Sequence, residues 1–290
     1  DMDRKMGPDL ILANEFRIVI RFLNDDEIRY ALEQLDFIGR YGFPNYFDDQ
    51  RFGSYSSTQG FFAEKLIKRE FSGALKIYLT AVYPEDKKEE KQRKRFFFQH
   101  WKNWAVCFSK AKTDFEKKAF RILIDDKGAF LKVLKMIPKE ELSMFVSCFQ
   151  AYLWNNLVER IVKFYSSKSL TYKGNHWNYF FYGSKEVFDY LKELNLPLPS
   201  QRTKMPNEFS EKMYKDILTE YGLKPSLFNL RKFRKIYFKS IPRKVIVVPQ
   251  IENYFISEDE LYRGKKALTL HFLLGRGSYG TMLIKRLFAR

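Results

Sequence analysis

The chain has 290 residues, with 52 Lys+Arg against 35 Asp+Glu, a formal net charge of +17 when its three histidines are neutral. With 45% hydrophobic and 18% aromatic residues it is neither a disordered nor a collagen-like polymer, and at this length folding buries about three quarters of the extended surface. The positive surplus points to polyanionic partners, nucleic acid first, held through salt-dependent phosphate contacts. Lysine enrichment that only keeps an aromatic-rich protein soluble is the competing reading of the same composition.

Cys107 and Cys148 are too few for a disulfide framework and have no CxxC spacing, which fits a reducing, cytoplasmic setting. His100, His176 and His271 stand far apart with no HExxH pattern, so no metal site is expected. The longest apolar runs, at 245–248 and 267–274, fall short of the ~20 residues that span a bilayer. The opening DMDRKMGPD has no apolar signal region and no initiating methionine, and reads as a cut end.

Residues 15–23, EFRIVIRFL, alternate apolar and charged side chains with period two and predict a half-buried antiparallel strand. Asn24-Asp25-Asp26 supplies a cap and first-turn acids for a helix that places Ile28, Ala31, Leu32 and Leu35 on one face and ends near Gly39. The stretch 39–60 has too few periodic apolar residues for a regular element and too many rings for a solvated linker, so something must hold it in place. Helices are predicted over 61–82, 93–123, 127–136, 139–165, 184–194 and 208–222, with breaks at Pro84, Gly128, Pro138, an aromatic loop from Gly174 to Gly183, and a turn at 196–201. The charged run at 88–95 reads as a solvated helix face or connector. After Pro242 the texture returns to strand, at 244–250, 254–260 and 267–274, before GRGSYG and a final helix. Strands at both ends around a helical middle predict an α+β fold in which the chain ends pair, with the helical part inserted between them.

Two segments, RKRFFFQHWKNW at 93–104 and FNLRKFRKIYFKSIPRK at 228–244, interleave cations with rings. Such segments can pair phosphates while stacking bases. Each also reads as an amphipathic element whose rings face the core.

The run GFPNYFDDQRFG at 42–53 resembles the G(V/I)PNYFGxQRFG signature of the tRNA pseudouridine synthase D (TruD) family. Three further segments agree in order: NEFRIVIR at 14–21 with GNxFxIVLR, AYLWNNLVERIV at 151–162 with AxLFNxxLxxRL, and LTLHFLLGRGSYGTMLIKRLF at 268–288 with LxFxLPxGSYATxxLREL. Asn155 and Arg160 fall in matching places of the second of these, and both read as structural. The resemblance implies a pseudouridine-synthase-type mixed or antiparallel catalytic sheet whose N-terminal part is missing, interrupted by a mostly helical family-specific insertion. The boundaries expected are 1–62 and 244–290 for the catalytic part and 63–243 for the insertion. It further implies modification of uridine 13 in tRNA by an aspartate nucleophile, with no cofactor and no metal, in a cytoplasmic protein expected to be a monomer.

The family's aspartate lies in a GxKDxxAxTxQ motif ahead of the signature, and the chain has no such motif. No catalytic residue is therefore assigned within it, and the nucleophile is expected upstream of Asp1. The second hypothesis is a catalytically inactive RNA-binding module that retains the fold. Asp48 replaces the signature's glycine and would be strained if that position needs positive φ. Gly275 and Gly280 add freedom to the closing motif, and Leu12-Ala13 replaces a common Lys-Gly.

By the resemblance, Asn45, Phe47 and Tyr279 bind the substrate: Asn45 through an amide that can both donate and accept, the two rings by sandwiching an extruded base. Loop bracing for Asn45 and core packing for Phe47 are the competing readings. Gln50 and Arg51 brace the loop or meet phosphate, and Gly53 serves backbone geometry. Arg51, Lys232, Arg234, Lys235, Arg243 and Lys244 are the candidate contacts to the RNA backbone.

Overall fold

Strand β1 (Ala13–Leu23) opens the computed structural model, which describes residues 12–167, 169–230, 233 and 236–290. Its alternation half-buries Phe16, Ile18 and Ile20 on one side. Near its end the register slips and Phe22 takes φ 64°, held by its N–H donating 2.8 Å to Asp259 Oδ2. Helix α1 (Asp25–Tyr41) starts with a reciprocal capping box between Asn24 and Glu27 and buries Ile28, Ala31, Leu35 and Ile38. It runs through Gly39 and stops at Gly42, where φ is +64° and a Cβ would lie 2.2 Å from the Val247 carbonyl oxygen. Only glycine satisfies both demands.

β2 (Phe43–Pro44) and a 3-10 turn at Asp49–Phe52 lead into the helical middle. There the two longest predicted helices are divided. The segment 61–82 forms α2 (Phe62–Ile67) and α3 (Phe71–Thr80), separated at Arg69 with φ 62°. The segment 93–123 lies within α4 (Lys88–Gln99), α5 (Trp104–Ser109) and α6 (Asp114–Asp125), divided at Lys102 with φ 77° and restarted by caps from Asn103 and Thr113. α7 (Phe130–Leu134) and the long α8 (Lys139–Tyr165) follow. α8 is buried nearly all round, including Phe149, Leu153, Trp154, Asn155 and Ile161.

Residues 174–183, expected as a loop, instead contribute to a hairpin of β3 (Ser169–Lys173) and β4 (Asn178–Tyr182). β4 reads NYFFY and buries Tyr179, Phe180, Phe181 and Tyr182 on both faces, so it lacks the alternation that announces a strand. The chain continues through α9 (Lys185–Leu191), β5 (Asn195–Pro197), α10 (Glu208–Glu220), β6 (Pro242–Lys244), β7 (Ile246–Val247), β8 (Gln250–Glu258), β9 (Lys266–Gly275) and α11 (Gly280–Leu287).

The chain ends pair in an antiparallel sheet of order β1-β9-β8, with Ala13 opposite Gly275. β6 pairs with β5 and β7 with β2, so residues 242–247 stitch the helical middle to the loop after α1. Apolar residues of the sheet, α1, α8 and α11 join one continuous core. The rings of the two interleaved segments join it as well: Phe97 and Trp104 in the first, Phe228, Phe233 and Phe238 in the second. Among the described residues, no helix is long and apolar enough to cross a membrane.

Candidate functional site

The loop 43–53 is held from three sides. Phe43 pairs with Val247, and the Asn45 N–H donates 2.7 Å to the Val245 carbonyl. The fully buried Tyr46 donates its hydroxyl 2.9 Å to the Phe180 carbonyl, and burial first, then Glu159, pushes its pKa well above the usual value. Asn155 of α8 grips Phe47 with both ends of its amide: Oδ1 accepts the Phe47 N–H and Nδ2 donates to the Phe47 carbonyl, each at 2.9 Å. This amide-to-backbone pairing satisfies two groups that have no water to turn to.

The Phe47 ring lies edge-on to Trp154 at 5.6 Å and to Tyr279 at 6.2 Å between centroids. The guanidinium of Arg243 sits over Phe47 at 4.2 Å and over Trp154 at 5.1 Å. Its Nε donates 3.0 Å to the Asn45 carbonyl, Nη2 donates 2.7 Å to Asn45 Oδ1, and Nη1 donates 2.8 Å to the Gly277 carbonyl. A single planar fork thus ties the PNYF loop to the GSY turn. Burial draws the pKa of Arg243 down to about 10, with Arg51 acting in the same direction and Tyr279 against it, so the group stays charged at neutral pH.

This geometry corrects the expectation for Arg243. It is an internal clamp and not a free surface cation, because its fork is occupied by protein oxygens. Asn45 is buried, and its Nδ2 also donates 3.2 Å to the Lys244 carbonyl, so both ends of its amide have protein partners. The arrangement braces the loop.

Behind the rings lies a charged cluster. The buried Asp48 accepts from Thr281 Oγ1 and Lys285 Nζ. Asp49 accepts from Lys285 Nζ, from the N–H groups of Asn175 and His176 at 3.1 Å, and from the Tyr179 hydroxyl at 3.2 Å. Burial favours the neutral acid at Asp49, but the Lys285 bond and the two backbone donors outweigh it and hold the pKa below the ordinary 3.8. Asp49 so anchors the turn of the β3-β4 hairpin. Gly174 makes room for it, since a Cβ there would lie 2.6 Å from Asp49 Oδ2.

Asp48 has φ −83°, ordinary extended backbone, so the strain expected from replacing a glycine is absent. Gly53 has φ −58°, a conformation open to any L-residue, and a Cβ there would meet only the Gln50 carbonyl oxygen at 3.8 Å. The backbone role expected for Gly53 is not required.

Arg51 is exposed, 5.6 Å from the Phe47 ring centroid, and Gln50 and Lys244 are exposed as well. Arg160 pairs with Glu220 through both Nη atoms and links α8 to α10, a structural role as expected. Lys232, Arg234 and Lys235 lie outside the described residues. Trp154, Tyr179, Thr281 and Lys285 were not singled out from sequence, although Trp154 precedes Asn155 in one quoted motif and Thr281 and Lys285 follow Tyr279 in another. Among the described residues, no group of three His, Cys, Asp or Glu side chains is gathered closely enough to ligate a metal ion.

The family comparison makes this fold, with its signature loop and closing turn clamped together, that of a pseudouridine synthase. The model of the family described as "tRNA pseudouridine synthase D (TruD)" matches residues 1–176 and 189–287, and the chain belongs to that family. It is 32% identical over 297 residues to the tRNA pseudouridine synthase D of Leptospira interrogans serovar Lai, covering 99% of this chain and 72% of the relative. The Aquifex aeolicus enzyme of the same name is 29% identical, covering 96% and 70%. A crystal structure from Methanosarcina mazei, assigned provisionally to tRNA pseudouridine synthase D, shares the fold with a TM-score of 0.75 at 21% identity, over 96% of this chain and 69% of that one.

Proposed function

We propose that the protein isomerises uridine 13 of tRNA to pseudouridine. The C1′–N1 bond breaks, the uracil turns in the cleft, and C5 bonds to C1′ while N1 gains a proton and C5 loses one. The observation that supports this reading is the convergence of Phe47, Tyr279 and Asn45 on Arg243, which ties the signature loop to the closing turn. Tyr279, the more exposed of the two rings, meets the extruded base, and the buried Phe47 backs it in edge contact while Asn45 and Arg243 hold the pair in place.

Asp48 and Asp49 are bound by Lys285, Thr281 and Tyr179 and do not serve as the nucleophile. No aspartate of this chain is assigned as the nucleophile; a carboxylate suits that task because it is anionic at neutral pH and leaves readily. Residues 1–62 and 244–290 form the catalytic part and 63–243 the insertion. The protein acts as a monomer in the cytoplasm without a cofactor, with Arg51, Lys244 and the cluster Lys232, Arg234 and Lys235 meeting the RNA backbone.

The test is release of tritium from tRNA labelled at uridine C5, with mapping of the modified position and a mass measurement of the expressed polypeptide. Release with pseudouridine at position 13 is the expected result. Tight tRNA binding without release identifies the inactive RNA-binding module instead, and absence of binding overturns both.

A further inference from the structure

A cavity of about 290 Å³ lies beside Phe52, at the end of the 3-10 turn that follows Phe47. Its walls include Tyr55, Phe61, Tyr152 and Trp177, with Asn156 and Asn178 adding amides. Helix α8 serves both sites from neighbouring faces. Trp154 and Asn155 hold Phe47, while Tyr152, Asn156 and Glu159, at the i, i+4 and i+7 positions of one face, line the second cavity.

The walls are ordered independently of any ligand. Tyr152 packs on Phe61 with centroids 4.5 Å apart and lies edge-on to Trp177 at 5.1 Å, and its hydroxyl bonds that of Tyr221 at 2.6 Å. Trp177 stacks on Phe52 at 6.2 Å and 20° between planes. The hairpin turn that carries Trp177 is tied to Asp49 by the N–H groups of Asn175 and His176. The indole Nε1 of Trp177 is buried and has no hydrogen-bond partner, an unusual state for so polar a group.

We infer that this cavity binds one unpaired nucleobase of the RNA, distinct from the base being modified. The inference rests on the reading of the protein as a tRNA pseudouridine synthase. At the small end of ligand pockets, roughly 300–1,000 Å³, the space suits a single flat ring system. Rings supply stacking, and the Asn156 and Asn178 amides can both donate and accept toward a base edge. An aromatic box could also hold an organic cation, but the carboxylate that would favour one, Glu159, is already paired with Lys163. A base held here steadies the RNA while its target nucleotide is withdrawn from the stack.

The test uses the protein labelled with 5-fluorotryptophan, which gives signals from four tryptophans, with Trp177 assigned by Trp177→Phe. Titration with a tRNA transcript should shift the Trp177 signal to saturation, and the shift should persist in Asn45→Ala, whose side chain does not line this cavity. The exposed Asn178→Ala should raise KM about three- to tenfold without a matching fall in kcat, the effect of one lost hydrogen bond. If tRNA is retained on filters while the Trp177 signal stays fixed, the second site is overturned and the synthase reading stands. If tRNA is not retained at all, both fall. A shift produced by tetramethylammonium and not by RNA makes the cavity a cation cage and overturns the inference.

Discussion

Arg243 and Phe47, almost two hundred residues apart in the chain, are stacked at 4.2 Å, and the same guanidinium that covers the ring donates to Asn45 and Gly277. One side chain therefore sets the distance between the signature loop and the closing turn. Lysine cannot reproduce this, because an ammonium has no planar fork to span three oxygens. Arg243→Lys is expected to lower kcat by about 10- to 100-fold, the scale of a misplacement of about 1 Å, with tRNA affinity changed less than about threefold. Tritium release and filter retention measure the two quantities. An equal loss in both, with a shallower salt dependence, would return Arg243 to the role of a phosphate contact.

Asn155→Leu tests the grip on the loop from the other side. The variant fills similar volume but leaves the N–H and carbonyl of Phe47 buried without partners, at roughly 1–3 kcal/mol for each group. A fall in the urea midpoint corresponding to about 2–6 kcal/mol is expected, together with loss of activity. A midpoint within error of the wild type would mean that water or a shift of the loop replaces the amide.

The parts of the molecule that were legible in sequence are those whose pattern is local. The alternation in EFRIVIRFL, the Asn24 cap and the signature run each specify their own geometry, and β1, α1 and the buried loop follow from them. The hairpin at 169–182 was not legible, because NYFFY is enclosed on both faces and shows no period. The breaks at Arg69 and Lys102 were hidden for a related reason: non-glycine residues at positive φ carry no sequence mark. The clamp that joins Phe47 to the closing turn was not legible either. Arg243 reads as one more cation in a basic run until β5-β6 and β2-β7 pairing turns it inward.

The cluster Lys232, Arg234 and Lys235 lies in that same basic run and carries the proposal for the RNA footprint. Replacing all three with Gln is expected to weaken tRNA binding and to reduce the slope of log affinity against log salt by about two to three, close to one released counterion for each lost contact. The measurement is filter retention across a salt series. An unchanged slope would move the footprint to other cations, with Arg51 and Lys244 the next to replace.

Asp49 links the signature loop to the β3-β4 hairpin and makes a pH prediction with a definite sign. Its folded pKa lies below the ordinary 3.8, since Lys285 and the Asn175 and His176 amides favour the carboxylate over the acid despite burial. The unfolded chain therefore binds the proton more readily than the folded one. The stability this group contributes is complete above the ordinary value and is lost as the pH falls through the lower folded value. Asp49→Asn removes the titration and leaves Lys285 with one carboxylate, Asp48. Urea midpoints measured from pH 6 downward should show the wild type losing its advantage over Asp49→Asn below about pH 4, until the two converge. Parallel curves across that range would show that the hairpin anchor does not depend on the charge of Asp49.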